Sequence, residues 1–227
     1  MLKENHLKAV IPFFCTIFLL GAAVGNSPET VPVPVNTNVS EAGRIDNPFF
    51  FTADISRVRY NGYYLNYDKI EHAFFLNIVH LKNFKNGTLY ILYLDKLIVD
   101  EPWDQIPEGR ENLGYFYVTK DKIYKLSNYN VLSEKENLDV INSISKNEKK
   151  FIAQCQLVCQ DKATKDIPDK DGWYQFIEEE GDKRTFRHYN DGGGSTWYER
   201  LEWQKGKGLI LYRSGYGSGR ESMEFGL

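Results

Sequence analysis

The first apolar run of the chain is its most uniform. Ala9 to Gly25 holds no charged residue over 17 positions and is dense in Ile, Phe and Leu. Lys3 and Lys8 precede it, and Gly21, Ala22, Ala23 and Gly25 close it. A basic start, an apolar middle and a small-residue end are the layout of a secretory signal peptide, which predicts export of the chain and a cut after Gly25. An uncleaved membrane anchor is the second reading, because this run is at the short limit for a spanning helix. Cys15 follows Pro12, Phe13 and Phe14 instead of small residues, which argues against a lipid-modified cysteine. From Asn26 to Asp46 the apolar pattern breaks up, with Pro28, Pro32 and Pro34 alternating with Val among Asn, Thr and Ser. Such a stretch predicts an extended, flexible linker over 26–46.

Downstream the pattern is that of strands. Phe49–Tyr60 and Glu71–Leu81 are β-prone. In the second stretch His72, Phe74, Leu76, Ile78 and His80 fall on one strand face, yet Ile70, Phe74, Ile78 and Leu81 also suit a helix. Asn86-Gly87 predicts a hairpin turn. The run Thr88–Val99 after it is apolar on both parities, so it reads as a strand buried on both faces. Tyr115–Thr119 and Lys122–Leu126 predict a further hairpin across Lys120-Asp121. Ser133 and Glu136 have capping-box spacing. Leu138, Ile141 and Ile144 continue at helical spacing, which predicts one principal helix over about 134–145.

The last third alternates strands and turns. Trp173–Glu179, Lys183–Tyr189, Thr196–Gln204, Leu209–Arg213 and Glu221–Phe225 are separated by Gly181-Asp182, Gly192 to Gly194, Lys205 to Gly208, and a corner at Gly215, Gly217 and Gly219. Turn signals about ten residues apart predict a sandwich or barrel. The fold class expected is α+β, mostly β: an antiparallel meander sheet or barrel-like sandwich with one helix. Residues 47–227 read as a single domain, with two β subdomains joined near 127–150 as the variant. Gly114-Tyr115-Phe116-Tyr117 and Gly172-Trp173-Tyr174 share a loose Gly-aromatic start, weak grounds for a duplication.

Composition changes this picture little. Fifteen Tyr, 14 Phe and 4 Trp favour strands. The formal charge of −3 falls to about −4 without the export segment, in the ordinary range for a soluble domain. No basic excess points to nucleic acid, and membrane contact is expected only through an uncleaved N-terminal segment.

Cys155 and Cys159 remain after export. On a strand over Phe151–Gln160 they share a face about 13 Å apart, beyond the roughly 7 Å a disulfide spans. They read as small core residues. No further Cys or His pair has zinc spacing, so no metal and no cofactor are expected; His72 and His80 lack a carboxylate between them at ligand spacing. Ser143-Ile144-Ser145-Lys146 matches the serine-x-x-lysine pattern of penicillin-binding enzymes, and Arg213-Ser214-Gly215 resembles their third motif. The middle motif is missing and the chain is too short for that fold, which excludes it. His188 and Ser195 lie near Glu199 in sequence, without the strand-turn-helix elbow of a nucleophilic serine. Gly215 to Gly219 is glycine-rich but has no following helix and no Lys-Ser/Thr, so it is not a phosphate loop.

What remains is Glu199 on a strand face with Trp197, Leu201 and Trp203. A carboxylate among aromatic residues suits a sugar-binding groove; pairing with Arg184, Arg187 or Arg213 inside a packed sheet is the plainer reading. Glu199 and His188 are the candidate catalytic residues. Trp173, Trp197, Trp203 and Tyr212 are the candidate ligand-binding set, with a buried core role for Trp197 and Trp203 set against it. The expectation is a secreted or cell-envelope protein, of bacterial type, that binds an extracellular glycan or protein without catalysis. The alternative is a small secreted hydrolase of glycan or peptidoglycan that uses Glu199. Cleavage at the expected point yields a mature chain starting at Asn26, which N-terminal sequencing of the exported protein reads; an intact Met1 in the membrane fraction identifies an anchor instead.

Overall fold

A computed structural model of the chain describes residues 43–64, 72–96, 110–127, 133–166, 168, 171–190, 197–216 and 221–227. The expected signal peptide, the Gly192–Gly194 turn, Ser195 and the corner at Gly217 and Gly219 lie outside them, as does all of the expected linker before residue 43.

The strands are β1 (Arg57–Tyr64), β2 (His72–Asn83), β3 (Thr88–Lys96), β4 (Arg110–Val118), β5 (Lys122–Leu126), β6 (Gln156–Gln160), β7 (Trp173–Glu180), β8 (Lys183–Asn190), β9 (Trp197–Gln204), β10 (Gly208–Tyr216) and β11 (Glu221–Gly226), with one helix, α1 (Glu134–Ile152), before β6. The eleven strands of the described residues join one antiparallel sheet in the order β6-β5-β4-β3-β2-β1-β11-β10-β9-β8-β7. Strands before and after the helix therefore share one sheet, which curls until its two edges nearly meet as a barrel. At the seam Gln156 Nε2 of β6 donates to His188 Nδ1 of β8 at 3.0 Å. Beyond β6 the chain lies along β7: Thr164 N–H donates to Ile177 O at 2.9 Å, and Ile177 N–H donates to Thr164 Oγ1 at 2.7 Å. These bonds occupy edge groups that an open sheet leaves unpaired.

Alternation sorts the side chains. Phe74, Leu76, Tyr90, Leu92, Phe116, Ile123, Phe186, Leu201 and Trp203 point inward and form the main core. β3 and β4 are also covered outside, as expected for the doubly apolar run: Leu89, Ile91, Tyr115 and Tyr117 pack beneath Ile144 and Phe151 of α1. Tyr115 Oη donates to Asn137 Oδ1 and Tyr117 Oη to Glu148 Oε1, both at 2.7 Å, which fixes the helix on the sheet.

Several local expectations change. β2 is a strand, which resolves the helix alternative. The hairpin at Asn86-Gly87 forms, but Gly87 is required by packing: a Cβ there would stand 2.4 Å from the Tyr117 ring. Gly114 sits inside β4 at a register shift with φ +114°, not at the start of a hairpin, so it has no counterpart in Gly172. The Ser133 side chain makes no capping bond; its carbonyl accepts from Asn137 N–H at 3.0 Å. α1 breaks where the expected helix ends. Asn147 has extended backbone, and its Oδ1 accepts from Lys150 N–H at 3.0 Å, capping a short second piece. That piece carries Phe151, so the strand expected from Phe151 begins only at Gln156. Cys155 consequently packs in the outer cluster and Cys159 in the inner one; both are free thiols. Burial pushes the Cys155 thiol up to about 12.

The stretch expected to open a strand at Phe49 instead plugs one end of the barrel. Phe49, Phe50 and Phe51 are buried in the main core. Pro48 O accepts from Gly206 N–H at 2.8 Å, Asn47 Nδ2 donates to Thr119 O at 2.8 Å, and Ile45 N–H donates to Thr88 Oγ1 at 3.2 Å. The plug thus ties the β4–β5 and β9–β10 turns and the start of β3 together. Arg44 and Ile45, expected in the linker, already belong to the domain. Arg184, buried beside the plug, lies 5.0 Å from the Phe49 ring centroid and donates to Asp161 O at 2.6 Å. Phe50→Ala removes a ring held against Tyr90 and Trp203; the expected cost is about 3–5 kcal/mol, read as a lower denaturant midpoint.

Candidate functional site

In a meander, alternate turns fall at opposite ends. The turns at 84–87, 119–121, 181–182 and 205–207 share the plugged end. Trp173, His188, Trp197, Ser214 and Gln156 lie toward the other end, on inward-facing positions of β7 to β10 and β6.

The floor of this half is charged. Lys125 on β5 and Glu199 on β9 form an ion pair through Nζ and Oε1, with side chains only 4% and 2% exposed. Along one direction of the sheet six strands separate them, so they meet across the lumen. The sequence reading looked for an arginine partner to Glu199; barrel closure supplies a lysine instead, while Arg184, Arg187 and Arg213 bond other groups. Tyr212 Oη donates to the same Glu199 oxygen at 3.1 Å. Burial, and then the negative charge of Glu199, push the Tyr212 phenol well above its ordinary value and keep it a donor. Glu199 Oε2 is buried and accepts no hydrogen bond from a described protein group. Glu111, inward-facing on β4 opposite Leu94, adds a second carboxylate. Burial raises its pKa, and Lys125 acts against that rise.

Above Glu199 sits an aromatic group. His188 is its cross-strand neighbour on β8. The His188 ring centroid lies 4.9 Å from Trp173 and 5.1 Å from Trp197, and the two indoles are 5.8 Å apart. Gln156 donates to His188 Nδ1, which leaves Nε2 to carry the proton of the neutral ring. Trp173, His188 and Trp197 are each half-buried.

Comparison with protein-family models, curated proteins and solved structures finds no match to this chain. The site must therefore be read from its own chemistry.

The candidate residues divide by depth. Trp203 is fully buried, 5.9 Å from the Phe116 ring and 6.1 Å from that of Phe50, and belongs to the core. Tyr212 stacks on Phe225 at 5.1 Å and offers the floor only its hydroxyl. Trp173 and Trp197 stand with His188 and above Glu199. Ser143 and Lys146 are exposed on α1, remote from this group. Sequence reasoning missed Lys125, Glu111 and Gln156. The available signal was an inward lysine two residues after the inward Ile123, a parity that a solvated lysine does not need.

The outer wall carries a different cluster. Arg187, Arg200 and Arg213 are in register on β8, β9 and β10 and, with Tyr189, Tyr198 and the intervening His188 and Glu199, line a depression of about 330 Å³. Each has its own carboxylate: Glu178 for Arg187, Glu202 for Arg200 and Glu224 for Arg213. That surface is charge-balanced pair by pair.

Breaking the buried pair from one side strands a charge. Lys125→Met or Glu199→Leu alone is expected to cost about 3–5 kcal/mol, whereas the double variant recovers most of it. Denaturant unfolding of the three proteins checks this.

Proposed function

We propose that the chain is an exported, non-enzymatic binding module that takes a small extracellular ligand into the unplugged half of its barrel. The ligand stacks on Trp173 and Trp197 beside His188 and directs a polar group at Glu199. The observation that carries this reading is Glu199 Oε2, buried beside an aromatic group without a donor among the described residues. A buried carboxylate oxygen without a partner is costly to a fold, and a ligand donor satisfies it. Large aromatic faces offer contact area at little entropic cost, which suits sugar rings and other flat bodies. A barrel mouth is a common place for such a site. Export rests on the N-terminal pattern of Lys3, Lys8 and the uncharged run to Gly25.

The second reading, a hydrolase of glycan or peptidoglycan, draws on the Glu111–Glu199 pair. Two carboxylates facing one space are the working parts of glycoside cleavage. Against it, Lys125 and Tyr212 both occupy Glu199 Oε1, which keeps that oxygen from a substrate. Turnover of wall polymers that Glu199→Gln abolishes would favour the hydrolase.

Trp173→Ala and Trp197→Ala are expected to melt close to the native protein and to lose retention on a cell-wall glycan column. Trp203→Ala is expected to lose about 3–5 kcal/mol of stability. If both mouth variants unfold like Trp203→Ala, the lumen reading is overturned.

A further inference from the structure

The arginine row on the outer wall has donors left over. Arg187, Arg200 and Arg213 stand side by side on β8, β9 and β10. Like charges directly opposite one another destabilise a sheet, so the row has to be neutralised. Its carboxylates do this from the rim. Glu178 and Glu202 lie on the side of the row toward the plugged end, and Glu224 is the β11 partner of Arg213. Each takes a single nitrogen. Glu178 accepts from Arg187 Nε at 2.8 Å, Glu202 from Arg200 Nη2, and Glu224 from Arg213 Nε at 3.3 Å. Among the described residues, none accepts from Nη1 or Nη2 of Arg187 and Arg213, or from Nε or Nη1 of Arg200. Arg200 Nε is moreover buried.

These donors border one space. On the side of the row away from Glu178 and Glu202, Tyr189 and Tyr198 are cross-strand partners. The depression of about 330 Å³ lies against these rings and the three arginines, and none of the three rim carboxylates is among the described residues that line it. Glu199, part of its wall, turns its carboxylate away to Lys125 and Tyr212 in the lumen. Tyr198 Oη accepts from Arg213 Nε at 3.2 Å, which orients the hydroxyl and leaves its proton to be donated. The Arg213 guanidinium carbon also lies 5.5 Å from the Tyr198 ring centroid, which holds the two side chains together. The side chains of Arg187, Arg200 and Arg213 are 36%, 34% and 37% exposed, so a solute reaches them without any rearrangement of the barrel.

We infer that this depression is a second binding site, independent of the lumen, and that it takes a phosphate monoester on a small body such as a sugar. A guanidinium fork matches oxyanions by paired N–H bonds. Neighbouring strands lie about 5 Å apart, so adjacent arginines reach one anionic group from two sides. A carboxylate offers two oxygens, too few acceptors for three arginines and a phenol, whereas a phosphate monoester offers three strongly accepting oxygens. The volume is at the small end of the range for ligand pockets and exceeds what a bare oxyanion fills. Tyr189 and Tyr198 border the remainder, where the body of the ligand rests. The rim carboxylates hold the forks in place from behind. They also repel an extended polyanion, which limits the site to a single anionic group.

The test is calorimetry on the exported protein at low salt, with probes that share a sugar ring and differ in the anionic group. Glucose 6-phosphate is expected to bind about tenfold more tightly than glucuronate, and glucose to show no saturable binding. Inorganic phosphate is expected to compete with glucose 6-phosphate and to bind more weakly, because it lacks the body. Arg200→Lys keeps the charge and loses the fork. It is expected to melt close to the native protein, since exposed ion pairs contribute little, and to weaken glucose 6-phosphate by about tenfold. Tyr198→Phe removes one donor and is expected to weaken it in the same direction; if Arg200→Lys does not fold, Tyr198→Phe decides. Glucuronate or glucose 6-sulfate binding more tightly than glucose 6-phosphate overturns the phosphate assignment. Binding that is unchanged in a folded Arg200→Lys protein, or absent for every probe at millimolar concentration, overturns the site itself.

Discussion

A charge removed from water must find its partner inside the protein, and that demand organises this barrel. Lys125 and Glu199 are each nearly inaccessible to solvent and lie on strands far apart in the sheet. They are compensated only when the sheet curls and its edges approach. A flat meander of the same strands would leave Lys125 and Glu199 apart and exposed among the apolar side chains of that face. The pair adds little net stability compared with apolar residues of the same shape, but it penalises arrangements that separate its members. Tyr212 adds a donor to the same carboxylate.

The rest of the fold makes that closure affordable. Two edges have to be hidden and a wide lumen filled. The seam is bridged by Gln156 to His188 and by the 161–164 segment laid along β7. One end is filled by the Phe49–Phe51 plug, whose backbone and Asn47 bond the turns around it. The outer faces of β3 and β4, too apolar for water, are covered by α1 through Ile144 and Phe151. The half without the plug is where polar groups and half-buried aromatic rings collect. The packed core and the candidate site thus divide along the barrel axis, and Trp203 and Trp197, on one face of one strand, fall on opposite sides of the division.

This division bears on how such a site tolerates change. Trp173, His188 and Trp197 stand on paired strands, so their mutual distances are held by backbone hydrogen bonds. A site on strands is more precise than one on loops. The outer arginine row, by contrast, is matched residue by residue with carboxylates, and cross-strand pairing of that kind stabilises the sheet surface.

Much of the fold was legible in the chain because its causes are local. Alternation of apolar positions in Phe186 to Trp203, the turn residues at Gly181-Asp182 and Lys205 to Gly208, the two-sided apolar run from Thr88 and the helical spacing from Leu138 to Ile144 each depend on a few neighbours. So does the N-terminal pattern that predicts export. Local causes failed where a distant partner intervened. Phe49 to Phe51 have strand-forming side chains but serve as a plug, because the burial they gain depends on a lumen built by later strands. Cys155 and Cys159 lie on opposite sides of the wall because Asn147 starts a second helical piece that carries Phe151. The glutamate at 199 was visible as an inward carboxylate, but its lysine, its tyrosine and the second carboxylate at 111 were not. Residue parity along a strand is determined by the sequence, whereas the residues that face one another across a lumen depend on strand number, register and closure, which only the tertiary structure decides.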